Sequence, residues 1–207
     1  LGNGSNPQEI IWRAGYSDSN TLEGDNFPPS LYGNGRVNPT QNLVDAFPMA
    51  NGYPIDNSNS DYDANDPYAN RDPRLATYII TNGSTAGSTT ITTGSYGTNN
   101  DAINRESGHS TRTGYYMRKH LRFDCNLDPN YNTQQRHYSA RIRYTEIFLD
   151  YAEAANEAWG PKGTGSFGFS AYDVIKAIRT RAGVGVDNGD PYLEACANSQ
   201  DQMRELI

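Results

Sequence analysis

Residues 141–183 constrain the fold more than any other part of the chain. Their sequence, RIRYTEIFLDYAEAANEAWGPKGTGSFGFSAYDVIKAIRTRAG, contains two segments with helical periodicity, separated by a loop rich in glycine. In the first segment, apolar and small side chains recur at the three- and four-residue spacing of one helix face. They are Ile142, Thr145, Leu149, Ala152 and Ala155. We therefore expect a helix beginning at Arg141, a connecting loop, and a second helix.

Capping residues mark the ends of these predicted helices. Gly160 ends the first helix and Gly183 the second, because glycine readily adopts the left-handed backbone found at helix ends. Ser170 and Asp173 have the spacing of a capping box, which satisfies backbone N–H groups at a helix start. The same pattern at Ser199 opens a third helix. Two helices and then a third indicate helical-repeat packing of the tetratricopeptide kind.

Residues 1–140 have the composition of ordered loops. The chain has 20 Gly, 11 Pro and 15 Tyr, and only 35% of its 207 residues are hydrophobic. We expect short strands at residues 9–14 and 115–123, and a short helix after an N-cap at Thr40. Residues 84–100, which include TTITT, predict a hairpin or a mobile loop.

The fold class predicted from these patterns is mainly α, with tetratricopeptide-like helix pairs, long irregular loops and a few short β-strands. We expect a single domain over residues 1–207. In it, residues 1–140 form a loop-rich part and residues 141–207 a helical-repeat scaffold.

The charge and cysteine content narrow the class of partner. The formal net charge is −7, which argues against nucleic-acid binding. Basic residues concentrate in residues 105–143. They either pair with the acidic residues before them, which we favour, or form a patch for an anionic ligand.

Cys125 and Cys196 permit one disulfide, and the cysteines and histidines show no metal-ligand spacing. No apolar run approaches 18 residues.

The loop aromatics are candidates for sugar binding. Sugars stack on flat aromatic faces and accept hydrogen bonds from planar polar groups. The loops supply Trp12, Tyr16, Tyr32, Tyr53, Tyr62, Tyr68, Tyr96, Tyr115 and Tyr131. For any single one of these residues, packing of a loop onto the scaffold is the favoured alternative. The predicted ligand-binding residues are Tyr96, Asn99, Asn100, Asp101, Trp12 and Tyr16.

The acidic loop has a partial calcium-binding pattern. Asp61, Asp63, Asn65 and Asp72 fall at positions 1, 3, 5 and 12 of a calcium loop. Position 6 is Asp66 rather than glycine, which favours a solvated acidic loop. We therefore expect no cofactor, with calcium as the weaker alternative.

The sequence contains no recognisable catalytic constellation. GPKGTG at residues 160–165 lacks the Gly-Lys-Ser/Thr order of a phosphate-binding loop. No Ser/His/Asp or Cys/His arrangement has a catalytic spacing. The chain is therefore expected not to be an enzyme.

Six segments in a fixed order resemble the SusD/RagB family. They are NPTQNLVDAF at 38–47, NGYPI at 51–55, NRDPRL at 70–75, GYYMRK at 114–119, RYTEIFLDYAEAANE at 143–157 and IRTRAGV at 178–184. The resemblance implies a mainly helical protein with a loop-rich, glycan-binding face. Glu146, Glu153 and Asn156, within the fifth segment, would be structural residues that pair with backbone groups or with nearby arginines.

The resemblance also implies a function and a location. Family members bind glycans or other nutrients at the surface of the bacterial outer membrane. These proteins pass the bound glycan or nutrient to a SusC-like TonB-dependent transporter. A lipid anchor would come from residues outside this chain, which we expect to be part of a longer protein. The alternatives are a helical-repeat module that docks on the transporter without binding ligand, and, less favoured, a carbohydrate-active enzyme.

Overall fold

The computed structural model describes residues 8–15, 17–94, 100–106 and 108–207. In chain order the elements are β1 (Ile10–Arg13), β2 (Ser17–Ser19), α1 (Thr21–Asn26), a 3₁₀ turn (Pro29–Leu31), α2 (Gln41–Asp45), α3 (Pro73–Tyr78), β3 (Ile79–Ile80), β4 (Thr85–Ala86), β5 (Thr89–Thr90), β6 (Tyr116–Met117), β7 (Gln135–His137), β8 (Ala140–Arg143), α4 (Tyr144–Trp159), α5 (Ala171–Ala182), α6 (Pro191–Cys196) and α7 (Gln200–Leu206). Helical residues thus outnumber strand residues, while most of the described chain lies in loops, as the predicted mainly helical, loop-rich fold class requires.

These elements form two compact units. The loop unit contains the described residues of 14–46 and 74–139, and the helical unit contains residues 8–13, 47–73 and 140–207. The strands of both units pair as antiparallel two-stranded ribbons. The pairs are β1 with β8, β2 with β7, β3 with β6, and β4 with β5.

The loop unit has a small core beneath its hairpins. Ile80, Ala86, Ile91 and Tyr116 are fully buried and pack together, with Phe123 against them. The strands β4 and β5 are the hairpin that TTITT predicted. The strand predicted over residues 115–123 is confirmed only at β6, because the backbone turns from Lys119 onward.

The predicted start of α2 is confirmed. The Thr40 hydroxyl accepts a hydrogen bond from the Leu43 backbone N–H at 3.3 Å, as an N-cap should. Val44 is buried, whereas Leu43 is about half exposed. A helix of five residues presents too little surface to bury both side chains.

The first scaffold helix begins later than predicted. We expected it at Arg141, but α4 begins at Tyr144, and residues 140–143 are the strand β8. The reason is a long-range pairing: β8 hydrogen-bonds to β1, with Trp12 opposite Ile142. Strand pairing fixes the backbone in an extended conformation that a helix cannot share. The predicted stripe residue Ile142 therefore belongs to a ribbon.

The helix α5 runs back along α4. Arg181, near the end of α5, donates a 3.0 Å hydrogen bond to the hydroxyl of Thr145, near the start of α4. The capping box of Ser170 and Asp173 is present, and Gly183 adopts the left-handed backbone at φ +84°. Both helix ends are thus confirmed. Tetratricopeptide-like pairing and the single-domain organisation stay predictions.

The small residues of α4 form the core of the helical unit. Ala152 and Ala155 pack with Ile175 of α5, Leu193 of α6 and Met203 of α7. Short side chains allow these helices to approach closely. Elsewhere on α4, Tyr144, Ile147 and Phe148 each keep about half of their surface in solvent.

The polar residues of α4 behave differently from one another. Asn156 is fully buried and exchanges hydrogen bonds with Gln200, from Asn156 Nδ2 at 2.9 Å and to the Asn156 carbonyl at 2.6 Å. This confirms its structural role. Glu146 and Glu153 are exposed to solvent, and their structural role stays a prediction.

A buried ion pair joins three segments of the helical unit. The Arg179 guanidinium donates two hydrogen bonds to Asp190, from Nε at 2.6 Å and from Nη2 at 3.0 Å. Its Nη2 also donates to the Gly52 carbonyl at 2.8 Å. Asp190 in turn caps α6 by accepting from the Leu193 N–H at 3.2 Å. One interaction therefore connects α5, residues 47–73 and the start of α6.

Two further features of the fold concern the length of its helices and the state of its cysteines. No helix in the described ranges is both long and apolar enough to cross a membrane. Cys125 and Cys196 are free, buried thiols.

Replacing Asp190 should destabilise the helical unit. Asp190→Ala leaves the buried Arg179 charge without its carboxylate, which typically costs about 3–5 kcal/mol of unfolding free energy. Denaturant unfolding monitored by circular dichroism measures this loss. Asp187→Ala, which removes an exposed acid from the same loop, is the matched control and should change the unfolding free energy by less than about 0.5 kcal/mol. Equal stabilities for the two variants would contradict the anchoring role.

Candidate functional site

The structure describes three of the six predicted ligand-binding residues. Tyr16, Tyr96 and Asn99 lie outside the described residues. Asn100 is exposed in the loop unit, and Trp12 is 59% exposed on β1 of the helical unit. Asp101 is fully buried. The described residues of the predicted set therefore differ in solvent exposure and lie in different units.

Asp101 supports a loop from inside the protein. Its Oδ1 accepts a hydrogen bond from the Ser30 backbone N–H at 2.8 Å, and its carbonyl accepts from the Tyr116 hydroxyl at 2.9 Å. We expected this carboxylate to face a ligand, but it is shielded from solvent. The polar sequence around it suggested exposure, whereas the backbone N–H of the 3₁₀ turn holds it inside.

Tyr32 is the exposed aromatic side chain that this anchor positions. It follows the 3₁₀ turn directly and keeps 60% of its surface in solvent. Its backbone is left-handed, with φ +63°, which is uncommon for a residue other than glycine. Such backbones persist only where the surrounding structure holds them, and they cluster at functional sites. The sequence placed Tyr32 among the loop aromatics without singling it out.

Tight backbone packing fixes the chain beyond Tyr32. A side chain at Gly33 would collide with the Phe27 carbonyl oxygen, and one at Gly35 with the His109 carbonyl oxygen. The Gly35 N–H donates to that Phe27 carbonyl at 3.0 Å. The two glycines let the loop fold back on itself. Tyr32 is consequently presented on a rigid turn.

Tyr116 is the buried side chain beneath this turn. Its hydroxyl accepts a hydrogen bond from the Thr111 N–H at 2.9 Å while donating to Asp101. Burial raises the pKa of the Tyr116 hydroxyl to about 12. The hydroxyl therefore stays protonated near neutral pH and serves as a fixed hydrogen-bonding bridge.

We call the surface formed by residues 28–34 and 100–104 the Tyr32 turn. It combines an exposed aromatic ring with the exposed amides Asn100 and Asn104, all within the loop unit. Asn100 lies beside the turn because its neighbour Asp101 bonds directly to Ser30. A flat ring and planar amides are the groups that recognise sugar hydroxyls and C–H faces.

The helical unit contains an apolar cavity of about 350 Å³. Phe148 of α4 and Phe169, which lies just before α5, form part of its walls, and Glu9 and Arg181 lie at its polar edge. Glu9 accepts hydrogen bonds from the Thr145 hydroxyl and backbone N–H, which lower the pKa of its carboxyl group, and the nearby Arg181 adds to this effect. Because its polar groups bond to one another, this cavity suits apolar contacts better than sugar hydroxyls.

The side-chain oxygens of Asp61 and Asp63 accept hydrogen bonds from residues of their own acidic segment. Asp63 Oδ1 accepts from the N–H and the amide of Asn65 at 2.8 and 3.0 Å, and Asp61 accepts from Asn51 at 3.3 Å. Asp72 is buried, and its backbone N–H donates to Pro48. Calcium at this loop stays a prediction.

Removing the Tyr116 hydroxyl should loosen the Tyr32 turn. Tyr116→Phe leaves a buried N–H and a buried carbonyl without partners, which costs about 1–3 kcal/mol of unfolding free energy. Denaturant unfolding measures this cost. Tyr138→Phe is the control at a less buried tyrosine of the same unit. A Tyr116→Phe variant as stable as the wild type would contradict this role.

The same substitution should alter the stability at alkaline pH. Tyrosine in the unfolded chain ionises near pH 10, whereas the pKa of folded Tyr116 is about 12. Its contribution is therefore complete below pH 10 and is lost as pH rises through 12. Between these values, the unfolding free energy should fall less steeply with pH for Tyr116→Phe than for the wild type. Identical slopes would show that Tyr116 ionises normally.

Comparison with known proteins identifies the family of this chain. The model of the SusD family (SusD/RagB) matches residues 8–207. No curated protein matches the chain significantly. The similar solved structures include two from Bacteroides fragilis NCTC 9343.

The first of these structures is a SusD-like carbohydrate binding protein. It is 21% identical, with a TM-score of 0.63, over 92% of this chain and 39% of the other. The second, a SusD-like protein, is 24% identical, with a TM-score of 0.65, over 97% and 43%. The chain thus spans about two-fifths of each structure's length and shares its fold. With the family model matching almost its whole length, the chain belongs to the SusD family.

Proposed function

We propose that the protein binds an oligosaccharide without chemically altering it, and that the Tyr32 turn contacts the sugar. The observation that carries this proposal is the exposed Tyr32 ring, held in a left-handed backbone above the buried Asp101 and Tyr116. A preorganised aromatic ring lowers the entropic cost of binding. The carbohydrate-binding relative supports the choice of ligand class.

The scaffold has a separate role in this proposal. The helices of the helical unit form tetratricopeptide-like pairs and hold position, while ligand contact comes from the loops. Trp12 supplies a second aromatic surface in the helical unit, exposed on β1 opposite Ile142. Tyr16, Tyr96 and Asn99 stay predicted ligand-binding residues.

The proposed cellular setting is supported by the family rather than by any contact in the structure. We place the protein at the outer face of a bacterial outer membrane, where it passes the bound sugar to a SusC-like TonB-dependent transporter. Such a protein needs neither a catalytic centre nor a cofactor. Co-purification with a SusC-like transporter tests this partner.

The binding role is tested with single substitutions on a glycan array, followed by calorimetry with the best ligand. Tyr32→Ala should weaken binding roughly tenfold, about 1.4 kcal/mol, because it removes the stacking surface. Tyr144→Ala is the matched control, since Tyr144 is similarly exposed but lies on a scaffold helix. It should bind like the wild type.

Three outcomes of this experiment would contradict the proposal. If no glycan binds to the wild-type protein, the ligand class is wrong. If Tyr32→Ala and the control bind equally, the Tyr32 turn is not the contact surface. If the protein releases reducing ends from a polysaccharide during the assay, the protein is an enzyme.

A further inference from the structure

A carboxylate, a thiol and an imidazole meet inside the loop unit. Glu23 lies on α1, Cys125 in the loop after Asp124, and His137 at the end of β7. One side-chain oxygen, sulfur or nitrogen from each lies within 4.8 Å of the other two. Glu23 and Cys125 are buried, and His137 reaches the surface with about a fifth of its side chain. The described residues contain no second group of this kind.

The Glu23 carboxylate is incompletely satisfied. Its Oε1 accepts from the Arg122 backbone N–H at 2.8 Å and contacts His137 Nε2 at 2.9 Å. Its Oε2 is buried and has no hydrogen-bond partner among the residues that the structure describes. A fully buried carboxylate with an unpaired oxygen is costly, so this site favours a cation.

One ring nitrogen of His137 faces a backbone carbonyl, and the other faces the Glu23 carboxylate. Nδ1 lies 2.8 Å from the Gln135 carbonyl oxygen, which can only accept, so Nδ1 carries a hydrogen. Nε2 lies 2.9 Å from Glu23 Oε1, where a protonated ring donates a hydrogen bond and where a bound cation would take the place of that hydrogen, with Nε2 as an electron-pair donor. Metal-binding histidines typically donate their other ring N–H to a carbonyl in this way.

The thiol of Cys125 distinguishes a metal site from a simple ion pair. A protonated His137 would satisfy Glu23 without any sulfur. The sulfur instead adds a third ligand of a kind that binds zinc and is avoided by calcium and magnesium. The Arg122 guanidinium hydrogen-bonds to Asp124 at 2.9 and 2.5 Å.

We propose that Glu23, Cys125 and His137 bind one Zn²⁺ ion. On binding, Cys125 releases its proton to solvent and forms a thiolate–zinc bond, while Glu23 and His137 donate lone pairs with no change of oxidation state. The fourth tetrahedral position is left for water or another group. The ion would tie α1, the loop at 120–126 and β7 together.

Zinc binding is tested on the intact protein after removal of metal with a chelator. Calorimetry with Zn²⁺ should give one ion per chain and release of protons, measured in buffers of different ionisation enthalpy. Cys125→Ser and His137→Ala should weaken binding by about tenfold or more. The matched controls are Cys196→Ser and His109→Ala, which lie outside the cluster and should bind as the wild type does.

Two further measurements protect the test against misfolded variants. Co²⁺ in place of Zn²⁺ should show thiolate-to-cobalt absorption in the wild type but not in Cys125→Ser. Glu23→Gln keeps an acceptor for Arg122 and should still fold, as judged by circular dichroism, yet lose the zinc-dependent rise in melting temperature. Absence of zinc binding in the wild type, or equal binding by Cys125→Ser and Cys196→Ser, would overturn the proposal.

Discussion

The buried pair of Arg179 and Asp190 is the interaction on which the helical unit depends. Two hydrogen bonds join the side chains, and a third connects Arg179 to the Gly52 carbonyl. Asp190 adopts a left-handed backbone at φ +53° and still caps α6. A planar guanidinium can satisfy a carboxylate and a carbonyl at once, which a lysine cannot do. The α4–α5 scaffold therefore holds a long loop segment in place through one side chain.

The loop unit fixes its backbone with a tyrosine hydroxyl and a buried carboxylate rather than with an ion pair. Tyr116 and Asp101 lie beneath the Tyr32 turn and satisfy backbone groups that would otherwise be buried without partners. This arrangement separates two tasks within a chain of short strands and long loops. Buried polar residues fix the backbone, and the aromatic ring above them is left for solvent or ligand. The exposed half of α4, in contrast, carries aliphatic and aromatic groups without such support.

Local signals in the sequence predicted much of this structure. The Thr40 cap, the Ser170 capping box and the left-handed Gly183 depend on residues within one turn of each other, and all three are present. The strand at 140–143 escaped prediction because its partner lies about 130 residues away. The burial of Asp101 was not predicted for the same reason: its partner, the Ser30 N–H, is distant in sequence. The cluster of Glu23, Cys125 and His137 likewise has no motif spacing and exists only through folding.

We propose that loops anchored by buried polar groups, rather than the scaffold helices, contact the sugar. Hydrogen–deuterium exchange of the protein with and without a bound oligosaccharide tests it most directly. We predict slower exchange in residues 28–34 and 100–104 on binding, and unchanged exchange in α4 and α5. Protection confined to α4 and α5, with no change in the Tyr32 turn, would contradict the account.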